Sequence, residues 1–170
     1  MTDTAPATQS LESSAMEIVK SHSYMALASG FVPVPVLDLA AVTGFQLHML
    51  SKLAALYALP FSADRGKAII GSLVGGVAAT NLAYGAAGSL VKALPIVGWA
   101  AGIVTMPAMA YASTYALGKV FVTHFASGGT VLNFDVDKVR EHFAQEFAQA
   151  KANTPKPGTP EWPSGGVKSS

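Results

Sequence analysis

Four histidines, one aspartate and one glutamine carry most of the chemistry this sequence could offer. His22, His48, His124 and His142 include no pair at the i, i+4 spacing that sets two imidazoles over one helical turn. The chain has no cysteine, so neither a thiolate metal site nor a disulfide framework is expected. His142 and Glu146 share a helix face, which reads as a solvated pair. His124 stands near the end of an apolar run, where an imidazole can bond the last carbonyls or sense pH. Asp38 and Gln46 are polar groups amid apolar neighbours, and at membrane depth such groups are functional candidates by default. Ser127-Gly128-Gly129-Thr130 has the composition of an anion-binding nest, but a helix stop explains it more simply. No serine lies in a Gly-x-Ser-x-Gly elbow. No catalytic residue, cofactor or metal is therefore expected, and the chain reads as non-enzymatic.

The elements that would carry these groups are helices. Apolar residues recur at helical period over about 11–29, 36–58, 63–91, 96–125 and 136–151. The predicted fold is all-α: two apolar helical hairpins with proline corners, followed by a C-terminal amphipathic helix. Pro33 and Pro35 make the first corner, with Asp38 in the opening turn that follows. Pro95 and Gly98 make the second, and the two segments resemble each other sixty residues apart. Val139, Phe143, Phe147 and Ala150 form the apolar face of the last helix. Residues 1–10 are expected to be disordered, 11–151 to form a helical membrane-associated domain, and 152–170, with four prolines, to be a disordered tail.

Composition sets the environment. Half of the 170 residues are apolar and 12% are charged, against about 25% in ordinary soluble domains. The net charge of +1 gives no general pull toward nucleic acid. The first residues lack the cationic region and apolar core of a signal peptide. No charge occurs between Lys67 and Lys92, nor between Lys92 and Lys119. Within the first of these runs Gly71, Gly75, Ala79, Ala83 and Ala87 repeat every four residues. Gly98 and Gly102 continue the theme, as do Ala108, Ala112 and Ala116. Small residues at this spacing let helix backbones approach closely. In water each glycine costs about 1 kcal/mol against alanine, so tight packing must offset them.

The third helix has about 24 uncharged residues, or about 36 Å, enough to cross a bilayer core of about 30 Å. Its hydrophobicity is marginal, so the hairpin is expected to enter a membrane as a unit. Arg65, Lys67 and Lys119 put positive charge at the open end, which predicts cytoplasmic termini. The alternatives are a water-soluble helical oligomer that buries the same residues between subunits, and an oligomeric pore.

Pro33-x-Pro35-x-x-Asp38, then Gln46-x-x-Met49-x-x-x-Leu53-Ala54-x-x-Tyr57-x-x-x-Phe61, resemble the YcjF-like bacterial proteins of unknown function. So do Pro95-x-x-Gly98, Thr114-Tyr115-Ala116-x-Gly118 and His124-Phe125-x-x-Gly128-Gly129-Thr130, and the resemblance covers about 20–150. It implies a helical domain at a bacterial inner membrane and a GTPase partner. The chain has no Gly-x-x-x-x-Gly-Lys-Ser/Thr phosphate loop, so nucleotide chemistry would belong to that partner.

Overall fold

The computed structural model describes residues 4–29, 35–87 and 95–156, with side chains placed over 9–29, 40–77, 79–80 and 106–156. Among the described residues the fold is all-α, with five helices and no strand. They are α1 (Thr4–Ser29), α2 (Pro35–Leu56), α3 (Ala63–Ala87), α4 (Pro95–Ala126) and α5 (Val136–Ala152).

Helix α1 starts at Thr4, seven residues before the expected position, so residues 4–10 of the segment expected to be disordered are helical. Pro6 falls in its first turn, where a missing N–H costs nothing. The Ser13 and Ser14 hydroxyls both donate to the Ser10 carbonyl. Pro35 and Pro95 are the first residues of α2 and α4, the position whose fixed φ suits a helix start. The segments before them, including Pro33 and the hairpin tip, lie outside the described residues, as does the tail beyond 156. Pro155, expected in that tail, is buried.

Helix α4 is the axis. Helices α1, α5 and α2 pack on it, while α3 packs on α2 and α5. Gly118 explains the closeness of α1, since a Cβ there would lie 2.5 Å from Val19 Cγ2, and on another face of α4 Ala112 and Ala116 are fully buried. The facing stripe of α1, Ala15, Val19, Ala26 and Leu27, is equally buried. Helix α2 contributes Met49, Leu50, Leu53 and Ala54 at helical spacing. Each large side chain so buried contributes roughly 1.5–3 kcal/mol. Pro107 lies inside α4, and the helix continues through it. The expected pairing of α3 with α4 is not a packed contact over the described residues; an apolar cleft lies between them.

Two helices end by the same device. At the end of α4, Gly129 N–H donates to the His124 carbonyl and Gly128 N–H to that of Phe125, with Gly128 left-handed at φ 82°. At the end of α2, Leu59 N–H donates to Ala54 and Ala58 N–H to Ala55, with Ala58 at φ 53°. Both are Schellman caps, the second with alanine in the position that favours glycine. The left-handed conformation costs an L-residue roughly 1–2 kcal/mol. Ala58→Gly is therefore expected to raise unfolding free energy by about 1 kcal/mol, and Gly128→Ala to lower it by about as much. Urea denaturation of the two variants checks this; equal effects of one sign would contradict it.

Candidate functional site

Gln46, the polar residue in the apolar stripe of α2, is 1% exposed. Its Nε2 donates to Ser113 Oγ at 3.1 Å and to Thr114 Oγ1 at 3.2 Å across the interface with α4. Both hydroxyls donate onward to the Ala110 carbonyl, at 3.2 and 2.8 Å. One amide thus reaches one turn of α4 through two hydroxyls. A buried amide needs such partners, and its position fixes how α2 sits along α4.

This cluster forms the polar part of a cleft of about 390 Å³. Helix α2 gives Val42 and Thr43 to the wall, α3 gives Ile70, Gly71, Val74 and Gly75, α4 gives Met106, Met109 and Ala110, and α5 gives Phe147. Met106 is 44% exposed and marks the mouth. Among the described residues no lysine, arginine, histidine or carboxylate lines the cleft.

The small-residue row of α3 lies beside it. Gly71, Gly75 and Ala79 are exposed, and a Cβ built on either glycine would meet nothing within 4 Å. A Cβ built on Gly76, in the neighbouring row, would lie 3.3 Å from Arg140 Nη1 of α5. The surroundings of Ala83, Ala87, Gly98 and Gly102, and of the corner residues Pro35, Asp38 and Pro95, lie outside the described side chains.

His124 closes a different end of the bundle. Its Nε2 contacts the Thr130 carbonyl at 3.0 Å and Asn133 Oδ1 at 3.1 Å, so the imidazole staples the loop after α4 rather than capping its own helix. Asn133 Oδ1 also accepts from Thr130 N–H, at 2.7 Å. Gly129 is needed here, because a Cβ would enter the His124 ring. The histidine with the most unusual setting is His22. Its Nδ1 lies 2.8 Å from the Ile18 carbonyl, while the buried Nε2 has no hydrogen-bond partner. The His48 ring stands 5.4 Å away, centroid to centroid. Burial holds the His22 pKa below its ordinary value; the Ile18 carbonyl opposes this, and His48 and Lys52 add to it.

The cations expected to face lipid have partners. Lys119 pairs with Glu146 of α5 at 2.8 Å, so Glu146 joins α4 rather than His142. Arg65 Nη2 donates to the Phe134 carbonyl at 3.4 Å, and Lys67 lies 3.9 Å from Asp64. Sequence reasoning singled out Gln46 but not Ser113 and Thr114 as its partners. The available signal was adjacent hydroxyls at Ser113-Thr114 within an otherwise apolar helix. Among the described residues no group of three or more His, Asp or Glu side chains converges to hold a metal ion, and no helix is long and apolar enough to cross a membrane.

A family profile described as a domain of unknown function, DUF697, matches residues 6–152. The chain is 42% identical over 138 residues to a protein named magnetosome membrane protein 22 of Magnetospirillum gryphiswaldense. That match spans 81% of this chain and 71% of the other. No solved structure matches.

Two outcomes follow from the geometry. Gln46→Leu should lower stability by about 1 kcal/mol, because Ser113 and Thr114 keep their bonds to Ala110, while Gln46→Ala should cost about 2 or more by enlarging the cleft; thermal melts rank the two. For His22 the unfolded chain binds a proton as pH falls through 6.5, while the fold resists it until lower pH. Its contribution to stability is therefore constant above that value and falls as pH drops below it. Denaturation between pH 7.5 and 5 should show this slope in the parent chain and a smaller one in His22→Leu (pH range set by the His reference value).

Proposed function

The chain belongs to the DUF697 family, and from that premise we propose that it is a non-enzymatic, membrane-associated helical protein acting as a scaffold or membrane-shaping element. The name of its magnetosome membrane relative supports the membrane association. The internal pairing of Gln46, Ser113 and Thr114 supports the non-enzymatic reading, since these groups are committed to holding helices. The hairpin end, rather than any single helix, makes the membrane contact, and it inserts as a unit. The location is the bacterial inner membrane, with both termini cytoplasmic. The family match reaches only an uncharacterised family. The YcjF-like resemblance adds a finer element to the proposal, a GTPase partner recruited through α5 or the tails.

Self-assembly is carried by one observation. Gly71 and Gly75 are exposed in the middle of a helix, with open space where their side chains would be. Each weakens an isolated helix by about 1 kcal/mol, and nothing among the described side chains uses the closeness they permit. A helix of a second copy laid across Gly71, Gly75 and Ala79 would use it.

Flotation with vesicles of phosphatidylethanolamine and phosphatidylglycerol, and sedimentation in mild detergent, test the two halves. The chain is expected to float and to self-associate. Gly75→Leu should weaken self-association by about tenfold while leaving helicity and flotation intact (one lost close approach of about 1–2 kcal/mol). A monomer that stays with the aqueous fraction would sink the proposal, and a lipid-free oligomer would favour the water-soluble alternative.

A further inference from the structure

We infer that the cleft between α3 and α4 receives one acyl chain of a membrane lipid, with the head group left outside. This deepens the membrane reading and rests on it. The walls are aliphatic and aromatic: Val42, Ile70, Val74, Met106 and Phe147 meet around the space, and Ala110 lines it from α4. The polar side chains within it are Thr43, Gln46 and Ser113, and the last two are bonded to each other. Among the described residues no cationic or imidazole side chain lines it to receive a free carboxylate. A fatty acid would strand its charge there, whereas a lipid keeps its charged end beyond the mouth.

Size decides between a chain and a protein segment. An apolar cavity of about 150 Å³ holds a benzene ring, so about 390 Å³ has room for about fifteen carbons. One turn of helix, about 10 Å across and about 5.4 Å long, already fills more than that. A second copy can therefore roof the cleft along Gly71 and Gly75 but cannot occupy it. Met106 and Met109 suit a flexible occupant, because unbranched thioethers adapt to irregular shapes.

Calorimetric titration of the full chain tests this. Lysophosphatidylglycerol bearing a myristoyl chain is expected to bind saturably, one per chain. The hexanoyl homologue should bind at least about tenfold more weakly, since each methylene transferred is worth roughly a fourfold factor. Glycerophosphoglycerol, the head group alone, should not bind, and myristate should bind more weakly than the lysolipid. Ala110→Phe, placed at α4 away from the small-residue row, should weaken binding about tenfold or more while vesicle flotation persists. Val42→Phe fills the cleft from α2 should the first variant fold poorly, and the chain-length series needs no variant at all. Absence of saturable binding, indifference to chain length, or tighter binding of myristate would overturn the inference. So would loss of lipid binding whenever two copies associate, which would make a second copy the occupant. Loss of flotation with lysolipid binding intact would instead overturn the membrane reading alone.

Discussion

The fold depends on how closely α1 can lie against α4. From Pro95 to Gly118 the helix α4 carries no charge, so it needs other helices or lipid around it. Its middle meets that need through small residues. At Gly118 the backbone of α1 comes near enough for Val19 to sit where a side chain would be, while Ala112 and Ala116, on a different face of α4, are fully buried. That contact sets the position of α1, which in turn covers α2, and it leaves the opposite side of α4 to α5. A side chain at Gly118 would push α1 away along its whole length, because packed helices shift as rigid bodies rather than yield locally.

The end of α4 extends the same logic with aromatic rings. Phe121 stacks on Phe134 at 4.3 Å with the planes 4° apart, and His124 meets the same ring edge-on. Phe134 belongs to the loop before α5, whose first turn is capped by Asp135 through the N–H groups of Asp137 and Lys138. The bond to Lys138 and its charge hold the Asp135 carboxyl below the usual range. Arg65, at the start of α3, reaches the carbonyl of Phe134. One loop therefore ties the end of α4 to the starts of α5 and α3. The cleft is lined by Met106, some five turns of helix from His124.

The five helices were legible because their breaks are made of proline and glycine, and because apolar residues recur at helical period. The end of α2 shows what such signals miss: the sequence offers Ala58, not glycine, at a left-handed cap, and only the geometry reveals the Schellman bonds. Gln46 stood out as a polar residue in an apolar stripe. Its partners lie 67 and 68 residues away, a distance at which local pattern carries no information. Lys119 counts in the sequence as positive charge at the open end of the hairpin, and in the fold its ammonium finds Glu146 on another helix. Periodicity places a charge on a face but does not say what covers that face.

The two rows of small residues make the sharpest case. On α4 and on α3 the spacing looks alike, and both predict close approach. In the folded chain Ala112 and Ala116 of the α4 row are fully buried, whereas Gly71 and Gly75 face outward. The difference arises from the flanking residues. Ile69 and Leu73 point α3 toward the core, and they are buried with Gln46 and Leu50 of α2. Ile70 and Val74, one position on, are carried round to the cleft, and Gly71 and Gly75 one step further to its rim. Bulky residues at that rim would close the space between α3 and α4 from within. Glycine keeps the space open toward the outside, so the same two residues that weaken α3 as a helix leave an apolar surface that no described side chain covers.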